Sequence, residues 1–551
     1  MRRALFVFLA TILAVPTALA QSVETGYGVV QALPLGARNG VTTLDAAGGR
    51  LYAGPRLVVV EPDGQLRYLG DNAAFTPPTP DDARAFSIAA SAGGTVVVGL
   101  GYTEQAGDES IPSAAGYAVS FDGGQTFAGR AASLDAPTDI TVTYGTNTLP
   151  ASPIFTPADA PPFWVDVDPT TGDLYSANAL AGLRVSRDGG QNWSRVVLPP
   201  DTLRAIQPGE AYTFPYSPAG VQLPGATDAS QVSLFGFNFV VYSVLVDEEG
   251  TVWAGSLAGL NRGDADGIDA ATGDRAWVRY TADAARPSPA ADFIVALKER
   301  EIDGARDEVW MAAWPSGRSE DLAPNTVDEQ FGVTVWRGDD PDTGAPLFDT
   351  VLLGERVYDL AFSGPSVYAA GQNGLFISEN GGRVWRTVRV FRGADGQPLP
   401  LRPGSSVFSV AVTADGTLWA GTGDGLLAST DGGDSWTLYR ASVPTTPDLG
   451  DRSDEVTEVE AYAYPNPFSP RSDRLTRIRV DLDAASPVRV RIFDFGMRLV
   501  AELGEEDRGA GPNEVLWRGV ADNGTRVANG AYIYIVDAGD RQFSGKILVL
   551  D

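Results

Sequence analysis

The chain of 551 residues contains no cysteine and no histidine. The first absence excludes disulfides, a thiolate nucleophile, cysteine-ligated zinc or iron–sulfur clusters and a lipid anchor on cysteine. The second removes the commonest general base, the Ser–His–Asp arrangement and the commonest metal ligand. Any catalysis would have to run on Asp, Glu, Tyr, Arg, Ser, Thr or Lys. Lysine is scarce too: only Lys298 and Lys546 occur, so arginine supplies almost all the positive charge. A basic stripe is also missing. With 41 Lys+Arg against 70 Asp+Glu the formal net charge is −29, which argues against a nucleic-acid partner.

What is present is 63 Gly, 38 Pro and 44 % apolar residues, the composition of a folded, turn-rich chain. The length suits one large repeat domain plus an appendage. Residues 1–20 read as a secretory signal peptide: Arg2 and Arg3, then an apolar run over Ala4–Val15, then Ala18-Leu19-Ala20 as the cleavage site. No later apolar run is long enough to span a bilayer, so the exported chain is expected to carry no membrane span.

Self-similarity dominates the middle. Four segments share one pattern, Ser-x-Asp/Asn-Gly-Gly-x-x-aromatic: Ser120 to Phe127, Ser186 to Trp193, Ser378 to Trp385 and Ser429 to Trp436. In each, Asp122, Asp188, Asn380 or Asp431 can accept backbone N–H groups, the glycines permit positive φ, and Phe127, Trp193, Trp385 or Trp436 can pack into the core. A second element, a strand ending in aromatic–Ala–Gly or its equivalent, occurs seven times, at Leu51–Gly54, Val96–Gly99, Leu174–Ala177, Val252–Gly255, Val309–Ala312, Val367–Ala370 and Leu418–Gly421. Seven units of four short strands predict a seven-bladed β-propeller over residues 27–445. A strand at Gly28–Ala32 is a candidate for closing the ring. The four turn segments resemble the Asp-box (BNR) repeat. That resemblance, and the turn chemistry, make Asp122, Asp188, Asn380 and Asp431 turn-makers rather than catalytic acids.

The corresponding turns of the fourth and fifth units depart from the pattern. Asp264, Asp266 and Asp269 superficially resemble a calcium loop but miss its spacing, and they read first as a solvated polar turn. No cofactor is expected otherwise.

An acidic linker, residues 446–457, separates the propeller from a domain at 458–551 with alternating strands and turns, expected to be a small β-sandwich. Its Tyr464-Pro465-Asn466-Pro467-Phe468, then Trp517 with Gly519, then Gly530 with Tyr532, resemble the hook-cap (FlgD-like) Ig-like domain and the type A C-terminal sorting domain of the type IX secretion system. The resemblance implies export, recognition by outer-membrane secretion machinery, and a final place outside the cell or on the outer-membrane surface, with the periplasm as the fallback. An ordinary Ig-like stalk is the alternative. Nearly all the negative charge lies outside this domain.

Function is expected on the face that carries the long connections, 101–115, 131–162, 199–237 and 314–331. Tyr102, Glu104, Tyr212, Phe214, Tyr216 and Trp314 are the candidate ligand-contacting residues there, for a glycan or a protein ligand. The alternative is that these loops cap one another. No catalytic set can be assigned. The favoured reading is a monomeric, non-catalytic binding scaffold. Glycoside hydrolases of the sialidase or xyloglucanase type and the photosystem assembly factor, which also resemble Asp-box propellers, stand as the two alternatives.

Overall fold

A computed structural model describes residues 40–439 and 461–550, except 56, 65, 69–82, 107–108, 218–235, 284–285, 303–307, 317–328, 395, 397, 400, 402–404, 472 and 474. The expected signal peptide, the strand at 28–32 and the linker therefore lie outside the described residues. The chain divides into two compact units, one carried mainly by residues 39–440 and the other by 441–551. Among the described residues both are all-β, with short 3-10 turns and no α-helix.

Among its described residues the first unit contains seven antiparallel meanders in chain order. The first sheet is β1–β4 (Thr43–Ala47, Arg50–Gly54, Val58–Val60, Leu66–Tyr68), and the second is β5–β8 (Arg84–Ala90, Val96–Ala106, Glu109–Ser120, Ala128–Arg130). A separate hairpin follows, β9–β10 (Thr141–Tyr144, Asn147–Pro150). The third sheet is β11–β14 (Trp164–Val167, Leu174–Ala177, Leu183–Ser186, Ser194–Arg195). The short β15 (Ala205–Ile206) then joins the outer edge of the fourth sheet, β16–β19 (Val241–Val246, Val252–Ser256, Gly259–Gly263, Trp277–Tyr280). The fifth is β20–β23 (Phe293–Arg300, Glu308–Trp314, Gly332–Asp339, Pro346–Leu353), the sixth β24–β27 (Val357–Ser363, Ser366–Gly371, Gly374–Ser378, Arg386–Val388), and the seventh β28–β31 (Val407–Val412, Leu418–Thr422, Gly425–Ser429, Thr437–Tyr439). The seventh sheet thus has four strands from residues 407–439 alone.

The first strands of successive sheets pack side by side, and β28 packs against β1. The Val41 N–H donates to the Thr422 carbonyl at 2.8 Å, joining the last sheet to the first. The sheets therefore close into a ring with the first strands innermost. Side chains on these strands clasp the neighbouring sheet. Asp45 accepts the Ala90 N–H at 2.7 Å, Asp166 that of Val246 at 2.7 Å, and Asp359 that of Val410 at 3.0 Å. The hydroxyls of Ser87 and Ser243 donate to the Pro162 and Ile294 carbonyls at 2.8 and 3.0 Å. These bonds satisfy backbone groups that no ladder reaches.

The four Gly-Gly turns make one network four times. The serine hydroxyl donates to the Asp or Asn side chain at 2.7–3.0 Å, and that side chain accepts the N–H four residues further on at 2.9 Å. The hydrogen bonds hold the carboxylates of Asp122 and Asp188 below the ordinary range; for Asp122 the Thr126 hydroxyl and N–H dominate, for Asp188 the Asn192 N–H. The aromatic residue of each box is buried or half-buried. Trp193 stacks on Tyr117 of the preceding sheet at 4.4 Å, and the Trp385 indole donates to Val351 of the preceding sheet.

The second unit packs a three-stranded sheet and a four-stranded sheet face to face. The first has order β32-β33-β36 (Ala461–Tyr464, Thr476–Leu482, Gly511–Trp517), and the second β35-β34-β37-β38 (Leu499–Arg508, Ser486–Phe493, Gly530–Ala538, Arg541–Val549). Their facing side chains form one core around Phe468, Trp517, Tyr532 and Tyr534.

Candidate functional site

The residues singled out in the sequence come together only in part. Residues 101–115, expected as a loop, instead continue β6 and β7 as an extended hairpin, because their backbones pair from Gly101–Ala114 out to Ala106–Glu109. Tyr102 and Glu104 lie on this hairpin, and the Tyr102 hydroxyl donates to Glu104 at 3.1 Å. Tyr212, Phe214 and Tyr216 cluster with Tyr144, Ile206 and Phe239. Tyr216 is buried, and the backbone N–H of Tyr212 and the carbonyl of Glu210 are held by the side chain of Asn147. These three rings join the two long connections to the third and fourth sheets. Asp108, Glu320, Asp321 and Asp328, further acids of the long connections, lie outside the described residues.

Trp314 belongs to a different group. It closes β21, is buried, and its indole donates to the Val357 carbonyl at 2.8 Å. It sits in an arc of rings running from sheet to sheet around one end of the innermost strands. Successive centroid separations are 6.4 Å for Phe86–Phe163, 5.5 Å for Phe163–Tyr242, 4.6 Å for Tyr242–Phe293, 5.8 Å for Phe293–Trp314, 5.6 Å for Trp314–Tyr358 and 5.5 Å for Tyr358–Phe408. Arg356 lies over Trp314 and Phe331, at 5.0 and 4.6 Å from their centroids.

A repeated β-bulge builds this arc. The pairing of β5, β16, β24 and β28 each slips by one residue, leaving Phe86, Tyr242, Tyr358 and Phe408 as the extra residue. A bulge re-aims the side chain that it leaves unpaired. Phe86, Phe163, Tyr358 and Phe408 stay half-buried, so the arc forms an apolar rim. A sequence signal exists for it: Phe86-Ser87, Tyr242-Ser243, Tyr358-Asp359 and Phe408-Ser409 repeat an aromatic–polar pair at the start of four of the seven innermost strands.

Further along the same strands, the ring holds an ion cluster. Lys298 on β20 reaches across to Asp45 on β1, with Nζ 3.5 Å from Oδ1 and 5.7 Å from the Trp164 ring centroid. Burial opposes its charge, but Asp45, Asp359 and Asp166 outweigh that and hold its pKa above the ordinary lysine range. Burial also pushes the Asp166 carboxyl up to about 7 and that of Asp359 up to about 6, against their backbone hydrogen bonds and the attraction of Lys298. Each of these two carboxylates accepts two backbone N–H groups, so neither is placed to act on a ligand.

The weak calcium pattern does not assemble. Asp264 accepts from Arg262 at 2.6 Å, and Asp269 caps the N–H groups of Ala271 and Thr272. Among the described residues the carboxylates close enough to share an ion are Asp247, Glu249 and Glu299. Of these, Asp247 already accepts the Thr251 N–H and the Trp253 indole, and Glu299 accepts the Glu248 N–H.

In the second unit the motif residues, spread over 69 positions of sequence from Tyr464 to Tyr532, meet in one place. Phe468 and Trp517 lie 6.0 Å apart and Trp517 and Tyr532 5.5 Å apart. Asn466 accepts the Leu548 N–H and donates to the Lys546 carbonyl, while Phe468 exchanges backbone bonds with Leu548 and Leu550. The Pro465–Pro467 segment therefore clamps the last strand. At Gly519, with φ of 66°, a Cβ would stand 2.6 Å from Pro470, which explains glycine there. Gly530 opens β37.

No family model and no curated protein matches the chain. Among solved structures it is similar to PorZ, a surface component of the type-IX secretion system of Porphyromonas gingivalis, with 13 % identity and a TM-score of 0.37 over 93 % of this chain and 70 % of that one. YCF48 bound to a D1 peptide gives 13 % and 0.37 over 76 % and 97 %, and a streptogramin B lyase 9 % and 0.37 over 75 % and 97 %. These neighbours are β-propeller proteins. None of them carries the functional reading below. No helix among the described residues is long and apolar enough to cross a membrane.

Proposed function

We propose that the chain is an exported, non-catalytic binding protein. In this reading a seven-bladed propeller of the Asp-box type displays a ligand site, and the Ig-like domain at 458–551 brings it to the cell surface through outer-membrane secretion machinery. The observation that carries the binding reading is the arc of rings at one end of the ring of sheets, of which Phe86, Phe163, Tyr358 and Phe408 are half-buried. Its aromatic edges and the guanidinium of Arg356 suit an apolar group carried on a glycan or a peptide. The acids deeper in the ring are spent on backbone N–H groups and on Lys298. That favours binding over acid–base chemistry, which needs a carboxyl free to meet its substrate. The chain acts as a monomer without a cofactor.

The test is a glycan and peptide array probed with the full exported chain and with Phe86→Ser and Tyr358→Ala. Retained ligands should be lost in both variants while the melting temperature stays within a few degrees. Turnover of a sialoside or a β-glucan by the wild-type chain would overturn the reading. For sorting, a truncation ending before Glu458 should accumulate in the periplasm, and its normal surface display would remove that role.

A further inference from the structure

The four-stranded sheet of the second unit has an outer face that is apolar at one end. Side chains alternate along a strand, so the register shows which residues share that face. Phe493 on β34 stands opposite Leu499 on β35 and Ile533 on β37, and Ile533 stands opposite Lys546 on β38. The next outward pair towards the β34–β35 turn is Ala531 and Leu548. Leu499 and Leu548 are exposed, and Phe493 and Ile533 are half-buried. The turn adds Phe495, 84 % exposed, and Met497, 55 % exposed. At the other end the same face carries charge: Arg491 lies opposite Glu502, and Arg489 opposite Asp537. The sandwich core is built from the inward side chains of these strands, so the outward apolar residues are surplus to it.

The turn presents its two side chains in a fixed way. The Arg498 N–H donates to Asp494 Oδ1 at 2.9 Å, the Met497 N–H to the Asp494 carbonyl at 2.9 Å, and the Asp494 N–H to the Arg498 carbonyl at 3.0 Å. Met497 has a φ of 58°, a conformation that disfavours a side chain and would suit glycine better. The border of the patch is cationic. Arg498 and Lys546 are exposed and have no ion-pair partner among the described residues, whereas Asp537 at the charged end is already paired with Arg491 at 2.8 Å. This is a local excess of positive charge in a chain of net charge −29. A contiguous apolar surface with a charged border marks a protein-docking face. A second copy laid on the same face would set these cations against each other, whereas a partner with carboxylates around an apolar centre matches them. Most of the apolar residues lie on the flat of the sheet, where another protein can reach them and where lipid would meet only the turn.

We propose, on the basis of the sorting reading above, that this face is where the outer-membrane secretion machinery takes hold of the Ig-like domain, through a component that offers an apolar surface bordered by Asp and Glu. The face is separate from the aromatic rim and does not depend on it.

The experiment follows the full chain in the cells that export it, by fractionation and by protease accessibility on intact cells. Phe495→Ser combined with Met497→Ser should lower surface display at least fivefold, with the chain held in the periplasm and the melting temperature of the purified protein unchanged. Arg498→Glu should lower display in the same direction, and Leu548→Ser stands in if the double variant fails to fold. Ser544→Gln, at the charged end of the same face, should be displayed normally. If the truncation before Glu458 reaches the surface, the sorting reading fails and this one with it. If that truncation is held in the periplasm while the double variant and Arg498→Glu are displayed normally, sorting stands and the docking face is overturned. Two measurements on the purified full chain test the other occupants. A dimer in sedimentation equilibrium that the double variant abolishes would give the face to a second copy. Flotation with phosphatidylglycerol vesicles that the double variant abolishes would give it to lipid. Either result overturns the proposal.

Discussion

Neighbouring sheets of the ring are joined at two ends, and the chemistry differs between them. At the end nearer the long connections the sheets nearly touch. A Cβ on Gly99, Gly255 or Gly421 would stand 2.9, 2.7 or 2.8 Å from a backbone carbonyl of the next sheet. Opposite these glycines only short side chains fit between the sheets, and Ser87, Ser243, Asp166 and Asp359 bond directly to the neighbouring backbone. Nearer the Gly-Gly turns the twisted sheets splay apart, and large rings fill the wedge: Tyr52 reaches Gly124 of the second sheet, and Trp310 reaches Gly382 of the sixth. The fourth and fifth sheets lack the turn motif yet obey the same rule. There Arg262 is sandwiched between Trp253 and Trp336, at 5.4 and 4.8 Å from their centroids, and is paired with Asp264 and Asp339. The turn motif is thus one solution to filling a wedge, and a cation between two indoles is another.

The largest effect should come from emptying the wide end. Trp310 is fully buried, 5.5 Å from Phe362, and its indole donates to Glu308. Trp310→Ala should destabilise the ring unit by about 4 kcal/mol, measured by denaturant unfolding. A cost below that of a surface substitution would mean that the wedge does not hold the sheets together. Lys298→Met comes next. It leaves Asp45, Asp166 and Asp359 without their counter-charge; the Lys298–Asp45 pair is half-buried, and its loss should cost about 2 kcal/mol, between an exposed and a buried pair. Unchanged stability at neutral pH would show that the cluster carries no weight. Gly421→Val probes the narrow end, where the added side chain meets Val41 of the first sheet. Overpacking of this kind should cost about 2 kcal/mol, and a melting temperature equal to that of wild type would contradict the close approach.

The same two ends decide how much was legible in the sequence. The aromatic–Ala–Gly anchors and the Gly-Gly turns stand out because wedge-filling rings and close-approach glycines are rigid demands on residue type. At each of the seven anchors, from Leu51–Gly54 to Leu418–Gly421, the structure has a strand. The bulged aromatics of the innermost strands were missed although they repeat as well, because a bulge leaves no mark in strand periodicity beyond one slipped residue. Tyr212, Phe214 and Tyr216 were read as loop aromatics on composition, and composition cannot say whether a ring faces solvent or another loop.

The smallest effect is a change of slope with pH, and it separates the narrow end from the wide end. Asp359 lies at the narrow end, faces Lys298 and Asp45, and gives its two oxygens to the Leu360 and Val410 N–H groups. Its carboxyl is raised to about 6 by burial, above the value of roughly 4 expected in the unfolded chain. The folded state therefore holds this proton more tightly than the unfolded state does. Stability from it is complete at pH below about 4 and is lost as pH rises through about 6. Asp359→Asn cannot titrate. Its amide nitrogen faces an N–H donor, so the variant starts less stable than wild type at pH 5. Between pH 5 and pH 8 the wild type loses stability that the variant keeps, and the gap should narrow by about 1 kcal/mol once the attraction of Lys298 is allowed for. Trp310→Ala, which removes no titrating group from this cluster, should keep a constant gap over the same range. A gap for Asp359→Asn that widens with pH would mean that the carboxylate is favoured where it sits and that the narrow end is held by charge rather than by close fit.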